Sequence, residues 1–311
     1  MITAEELTKS YGSMKAVDDV TFACEAGTIT GFLGPNGAGK STTLRMITGL
    51  TRPTSGHATV NGRPFAELPN PSRTVGTLLD ASAMHAGRTG RATLRLAARL
   101  AGVRLDRVDE ALGDVGLDTA AADRRVGDYS LGMRQRLGIA QALIGEPQVL
   151  ILDEPANGLD PEGIAWMRRL LRGFADRGGT VLLSSHLLAE VEATVDRLVV
   201  IGGGKVVAQG TLDELLTTQG LVVRATDGAA LQQALRHAGL PFTERPDGTV
   251  TIPGDVPAES VAQVAVLAGV LIVELRPSER AGLEQLFFSL TGGGADALPG
   301  AESYPDFKDV A

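Results

Sequence analysis

The segment Gly34-Pro35-Asn36-Gly37-Ala38-Gly39-Lys40-Ser41 constrains this chain more than any other. It satisfies the pattern GxxxxGK[ST], follows the apolar run Thr28 to Leu33 and opens a stretch of helical character, so it is predicted to join a buried strand to a helix. A glycine-rich turn in that place lets backbone N–H groups wrap an anion without Cβ clashes, and the helix N-terminus adds partial positive charge. Gly34, Asn36, Gly37, Ala38, Gly39, Lys40, Ser41 and Thr42 form the expected phosphate cradle, with Lys40 reaching the terminal phosphates and Ser41 offered to Mg2+. Alone, the loop specifies nucleotide binding and leaves kinases, GTPases and motors open.

Two more short apolar runs, Val149 to Leu152 and Thr180 to Ser184, are bounded by Gly, Pro or charge and read as buried strands. Before the second lies a clear helical pattern, with Asp160 as N-cap, Pro161 at the first position, Ile164, Met167, Leu171 and Phe174 on one face, and Gly178-Gly179 as the stop. Strands alternating with helices imply an α/β fold with a mainly parallel sheet covered on both faces. From Arg91 to Leu143 strand signals are missing and Leu94-Leu96-Ala97-Leu100 and Met133-Leu137-Ala140-Ile144 recur at helical spacing, which predicts a helical subdomain over about residues 83–144.

Past Gly210 the phosphate-site vocabulary stops, and Thr211 with Glu214 forms a capping-box helix start. The predicted organisation is a nucleotide-binding domain over 1–218, a small C-terminal accessory α+β domain over 219–292 and a disordered Gly-, Ala-, Pro- and Asp-rich tail over 293–311. The accessory order reads strand, helix, two short strands across Pro246-Asp247-Gly248, a helix from Ala258 and a strand from Val270 to Leu275. A last helix follows at about 280–291. Its face Leu283, Leu286, Phe287 and Leu290 is expected to be buried within the accessory domain, the alternative being a partner-docking role.

A net charge of -8 and 4% aromatic residues argue against a dedicated nucleic-acid surface, while a local basic patch stays open. The single cysteine, Cys24, has no internal partner and reads as a small buried apolar residue in a reducing compartment. The N-terminus has no apolar secretory core, and no apolar run approaches the roughly 20 residues of a membrane-spanning helix. A cytoplasmic chain is expected, and any route across a membrane would belong to another subunit.

The run Val149 to Leu152 ends on Asp153-Glu154, which places two carboxylates at a strand end, where phosphates sit in such sheets. Asp153 suits the Mg2+ shell. Glu154 suits polarisation of an attacking water, because phosphoryl transfer needs an oriented nucleophile and charge compensation more than covalent help.

Tyr129-Ser130-Leu131-Gly132-Met133-Arg134-Gln135-Arg136 stands between these motifs. Together with the glycine-rich loop, Asp153-Glu154-Pro155, Asn157-Gly158-Leu159-Asp160 and Ser184-Ser185-His186, it closely resembles the ABC ATPases in order and spacing over about residues 2–215. The resemblance implies a P-loop NTPase fold acting on ATP with Mg2+, and a composite site in which Ser130 and Gly132 of one subunit close over the γ-phosphate held by the loop of another. It adds Asp160 to the nucleotide-binding set and gives His186 a contact with the γ-phosphate and the attacking water. Tyr11, within Lys9-Ser10-Tyr11-Gly12, matches the aromatic that stacks on adenine, with Val17 lining that pocket.

Two positions depart from the family pattern. Leu131 stands where glycine is usual, and Asp80 stands where glutamine is usual and is implied to approach Mg2+ or the water, a structural role being the alternative. The Ser-Leu-Gly-Met pattern resembles the bacitracin and daunorubicin-resistance type exporters. That subgroup implies an ATP-hydrolysing subunit on the cytoplasmic face of the membrane, paired as a homodimer and driving a separate transmembrane permease, with no nucleic-acid partner. The permease is expected near Ala83-Met84-His85. A soluble ABC ATPase acting on ribosomes or DNA is the rival reading, but the sequence carries no second cassette, zinc module or long coiled coil. A nucleotide-dependent regulator would suit Asp80 and Leu131 and conflicts with the intact Lys40, Asp153, Glu154 and His186.

Overall fold

The computed structural model describes residues 1–216, 220–245, 247–254, 256–277, 283 and 287. A hairpin of β1 (Ile2–Tyr11) and β2 (Met14–Cys24) leads into β3 (Ile29–Leu33), α1 (Lys40–Ile47), β4 (Ser55–Val60), α2 (Pro71–Thr74) and β5 (Val75–Leu78). Next come α3 (Gly90–Ala101), α4 (Arg107–Asp114), α5 (Thr119–Ala122) and α6 (Leu131–Leu143). The chain then returns through β6 (Val149–Asp153), α7 (Pro161–Asp176), β7 (Thr180–Ser185), α8 (Leu188–Glu192), β8 (Arg197–Gly202), β9 (Lys205–Thr211) and α9 (Leu212–Leu215). The last described elements are β10 (Leu221–Ala225), α10 (Gly228–His237), β11 (Thr243–Glu244), β12 (Val250–Ile252), α11 (Ala258–Leu267) and β13 (Ile272–Pro277).

The main sheet has six strands in the order β5-β6-β7-β3-β8-β9, parallel except for the antiparallel edge strand β9. Every residue of β3 is buried, as expected of a central parallel strand covered on both faces. Its helices and strands follow the expected alternation. The register aligns the C-terminal ends of three strands, with Leu33 beside Ser185 and Asp153 beside Ser184. The residues that follow these ends, Gly34, Glu154 and His186, therefore leave the same edge of the sheet.

One core cluster packs α3, α4, α6 and α7 on one face of this sheet. A second joins the other face to α1 and to a three-stranded antiparallel sheet, β2-β1-β4. The sequence reading did not anticipate that antiparallel sheet. Its strands slip register several times and hold Glu6 and Asp19 at positive φ, so the period-two signal of a strand is broken by bulges.

The expected helical stretch is present as α3 to α6. Thr89 caps α3 through the Ala92 N–H, and Gly102 ends that helix in the left-handed region. Gly76 lets α6 lie directly on β5, since a Cβ there would sit 2.0 Å from the Ala142 carbonyl oxygen. Thr211 and Glu214 form the full capping box.

Beyond residue 220, a four-stranded antiparallel sheet in the order β11-β12-β10-β13 packs against α10 and α11 around Val223, Leu231, Leu235, Val250 and Val261. The last strand starts two residues later than expected. The larger correction concerns Leu283. It is helical and fully buried, but in the cluster that contains Leu216, Leu198 and Leu183 rather than in the accessory core, and Phe287 packs against the same cluster. An apolar face about two helical turns long does not reveal from sequence which of two cores it joins. Leu286, Leu290 and the predicted tail lie outside the described residues.

Candidate functional site

The loop after β3 is held close by its surroundings. A Cβ on Gly34 would fall 2.5 Å from the Ile201 carbonyl oxygen, and one on Gly39 would fall 2.4 Å from that of Ala16. Gly37 and Gly39 adopt φ of 81° and 104°, where glycine is at ease. No side chain caps α1, so its first N–H groups face the loop as donors for an anion. Asn36, Gly37 and Ser41 are exposed, Thr42 is half-buried, and Ala38 is buried beneath the loop.

Lys40 is buried, and its ammonium donates to the carbonyl oxygens of Gly34 at 2.6 Å and Pro35 at 3.2 Å. Burial lowers its pKa from the usual lysine value, and the charges of Glu154 and Asp153 act in the opposite direction. Loop, ammonium and both acids thus form one electrostatic unit.

Asp153 and Glu154 emerge from β6 next to Ser184 of β7. The Ser184 hydroxyl donates to Asp153 Oδ1 and accepts from the Glu154 N–H at 3.0 Å. The Glu154 carbonyl accepts from Gln135 Nε2 at 2.8 Å, and its carboxylate Oε2 lies 2.8 Å from His186 Nδ1. Glu154 itself has φ of 50°, an uncommon backbone conformation for a glutamate. Ser184 and Gln135 lie within the motifs quoted from the sequence, but no role attaches to them there, because their bonds to the Glu154 peptide exist only once helix and strand are packed.

The remaining expected residues sit as follows. Tyr11 is 50% exposed, with the Lys9 ammonium over one face of its ring, 5.1 Å from the centroid. Val17 is fully buried and lies beside Gly39, which makes it a support under the loop rather than an accessible pocket wall. Ser130 is exposed and caps α6 through the Met133 N–H. Leu131 takes an ordinary helical place at the start of α6 and is 53% exposed. Its side chain lies against Gly158, where a Cβ would come within 2.4 Å of Leu131 Cγ, and a Cβ on Gly132 would fall 2.8 Å from the Gly158 carbonyl oxygen.

Asp160 caps α7 by accepting from the Gly163 N–H at 2.8 Å, so its side chain serves the helix. Asp80 likewise acts as a cap. Its Oδ1 accepts from the Ser82 hydroxyl at 2.6 Å and the Ser82 N–H at 2.7 Å, and these bonds hold its pKa below the ordinary aspartate value. The structure supports the structural reading of Asp80, because an Asp-Ala-Ser turn satisfies its carboxylate locally. Among the described residues no group of three or more His, Cys, Asp or Glu side chains is arranged to hold a metal ion. Ser41 and Asp153 still fit Mg2+, which is typically held by one or two protein ligands together with substrate phosphates.

A glycine cradle on an uncapped helix N-terminus, a buried lysine and paired acids at the neighbouring strand end define a P-loop nucleoside triphosphatase. Residues 17–157 match the family model described as ABC transporter. The chain is 44% identical over 218 residues to the bacitracin transport ATP-binding protein BcrA of Bacillus licheniformis, covering 69% of this chain and 71% of that one. It is 35% identical to the daunorubicin/doxorubicin resistance ATP-binding protein DrrA of Streptomyces peucetius, covering 95% and 93%. A solved structure of the ATP binding subunit of an ABC transporter superposes with a TM-score of 0.64 at 31% identity, over 69% of this chain and 91% of that one. The chain belongs to the ABC transporter family, as an ATPase subunit.

Proposed function

We propose that this chain is the motor of a membrane exporter for a drug-, antibiotic- or lipid-like molecule, in which two copies close on ATP and drive a separate transmembrane permease. The observation that carries the hydrolytic reading is the Glu154–His186 pair, 2.8 Å apart at the strand edge that also bears the phosphate cradle and Lys40.

In this reading the α1 N-terminus and Lys40 hold the β- and γ-phosphates, and Tyr11 stacks on adenine. Ser41 and Asp153 would hold Mg2+, which would supply charge compensation for the phosphates. Glu154 accepts a proton from the attacking water as general base, and His186 orients the Glu154 carboxylate and meets the γ-phosphate. Ser130, exposed at the start of α6, and the half-buried Gly132 close over the nucleotide of the second copy. The sandwich holds ATP better than ADP, and that differential affinity is what moves the permease.

The names of the relatives favour export, since they describe bacitracin transport and daunorubicin/doxorubicin resistance. The permease surface we assign is a groove of about 270 Å³ between the turn after β5 and α3, lined by Asp80, Met84, His85, Leu96 and Leu100. Leu100 and Leu96 expose much of their apolar surface there, as a docking groove requires. No helix among the described residues is long and apolar enough to cross a membrane, which fits a peripheral subunit on the cytoplasmic face.

The test is Glu154→Gln, assayed for ATP turnover over a protein dilution series beside light scattering. The expected result is retained ATP binding, a turnover loss of about 100-fold or more and an ATP-locked dimer. Near-normal turnover would remove Glu154 from the base role, and full activity of a monomer would end the composite-site reading.

A further inference from the structure

Glu154 holds an energetically uncommon backbone conformation, and such conformations persist only where the surroundings over-determine them. Here the surroundings can be named. Its N–H is taken by Ser184 of β7, and its carbonyl is taken by Gln135 of α6 and by the Asn157 N–H at 3.2 Å. Gln135 is almost fully buried, and its amide reaches 2.8 Å to the Glu154 carbonyl across 19 residues of sequence. A long polar side chain gains little from burial unless its hydrogen bonds are made, so its position is set by this bond rather than by packing.

We propose that Gln135 is a positioning residue for hydrolysis: its amide holds the Glu154 carbonyl and keeps Glu154 in the left-handed conformation from which the carboxylate meets His186. The inference rests on the reading of Glu154 as general base. Without the amide, the carbonyl keeps one weaker partner, the Asn157 N–H, and the Glu154 peptide gains freedom to rotate toward ordinary φ. The carboxylate then leaves His186 and the line of attack on the γ-phosphate. Gln135 also lies on the helix that Ser130 caps, so the element that begins at the exposed closing turn bears directly on the backbone of the base.

Replacing Gln135 by Met keeps length and bulk and removes the donor, and Gln135→Glu keeps the shape while withdrawing the donated N–H. Both are compared with wild type and with Glu154→Gln in steady-state ATP turnover, in equilibrium ATP binding and in amide hydrogen exchange. The expected result is a kcat lower by about 10- to 100-fold with KM and ATP affinity within about twofold, as a small misplacement of a catalytic group produces. Exchange should accelerate at the Glu154 and Asn157 amides while β3 and β6 keep their protection.

A Gln135→Met enzyme with kcat within about twofold of wild type would overturn the inference. So would exchange that accelerates equally throughout the sheet, or a turnover loss matched by an equal loss of ATP affinity. The two readings separate cleanly in this experiment. A Glu154→Gln enzyme that still turns over defeats the base assignment, whereas an inactive Glu154→Gln enzyme beside a normal Gln135→Met enzyme defeats only the role of Gln135.

Discussion

A lysine ammonium drawn out of water into a loop costs hydration, which carbonyl oxygens and two nearby carboxylates offset. Lys40 is buried against the Gly34 and Pro35 carbonyls and is tuned downward by burial and upward by Asp153 and Glu154. Lys40→Ala is expected to weaken ATP binding itself, seen as a higher Kd by titration, whereas Glu154→Gln leaves Kd nearly unchanged. Gly158 is a second residue-scale constraint. It combines φ of 76° with the close approach of Leu131, so Gly158→Ala meets both backbone strain and a side-chain clash. The expected outcome is displacement of the Ser130 turn: ATP affinity of the monomer is retained, and ATP-driven dimerisation, read by light scattering, is lost. Most residues of the site were legible as motifs because phosphate chemistry restricts residue type and spacing together. Gln135 and Ser184 stood inside those motifs, but their bonds to the Glu154 peptide could not be read there, because a hydrogen bond between a helix and a strand end leaves no periodic mark.

At the scale of elements, the fold depends on helices that approach strands more closely than a side chain allows. Gly76 is the clearest case, and Gly76→Ala is expected to cost about 1–3 kcal/mol by overpacking against the Ala142 carbonyl. Denaturant unfolding would register it as a lower midpoint with an unchanged slope. The short turn after β5 gives a pH-dependent prediction. Hydrogen bonds from Ser82 depress the Asp80 pKa, so their stabilisation is complete above the ordinary aspartate range and is lost as pH falls through the lowered value. The small stability gap between wild type and Ser82→Ala should therefore narrow on acidification below about pH 4. A gap that widens with acid would refute the cap. The parallel strands and α7 were readable because burial on both faces and capping chemistry leave strong local signals. The β2-β1-β4 sheet was not, because its bulges erase alternation.

For the molecule as a whole, Leu283 and Phe287, both beyond β13, pack with the core of the nucleotide-binding sheet. The boundary expected near residue 218 falls between two sheets, and these two later side chains nevertheless join the first core. Leu283→Ala should cost about 2–5 kcal/mol, as large-to-small changes in a filled core do. Trp166 is the single tryptophan and packs against that core, so its fluorescence reports unfolding of the cassette. Leu283→Ala is expected to lower the midpoint followed at Trp166, and Leu231→Ala, in the accessory core, to leave it unchanged.

Sequence alone determined the class of ligand and the parallel α/β frame, and it marked the candidate phosphate site. A glycine cradle, a lysine and an acidic strand end are demanded by the chemistry at short range along the chain. Tertiary structure decided what long-range packing controls. It made Asp80 a cap, put Val17 beneath the loop, gave Leu283 to the first core, and brought Gln135 and Ser184 onto the two sides of the Glu154 peptide. Those outcomes depend on which surfaces meet, and a local pattern of residues carries no record of its distant neighbours.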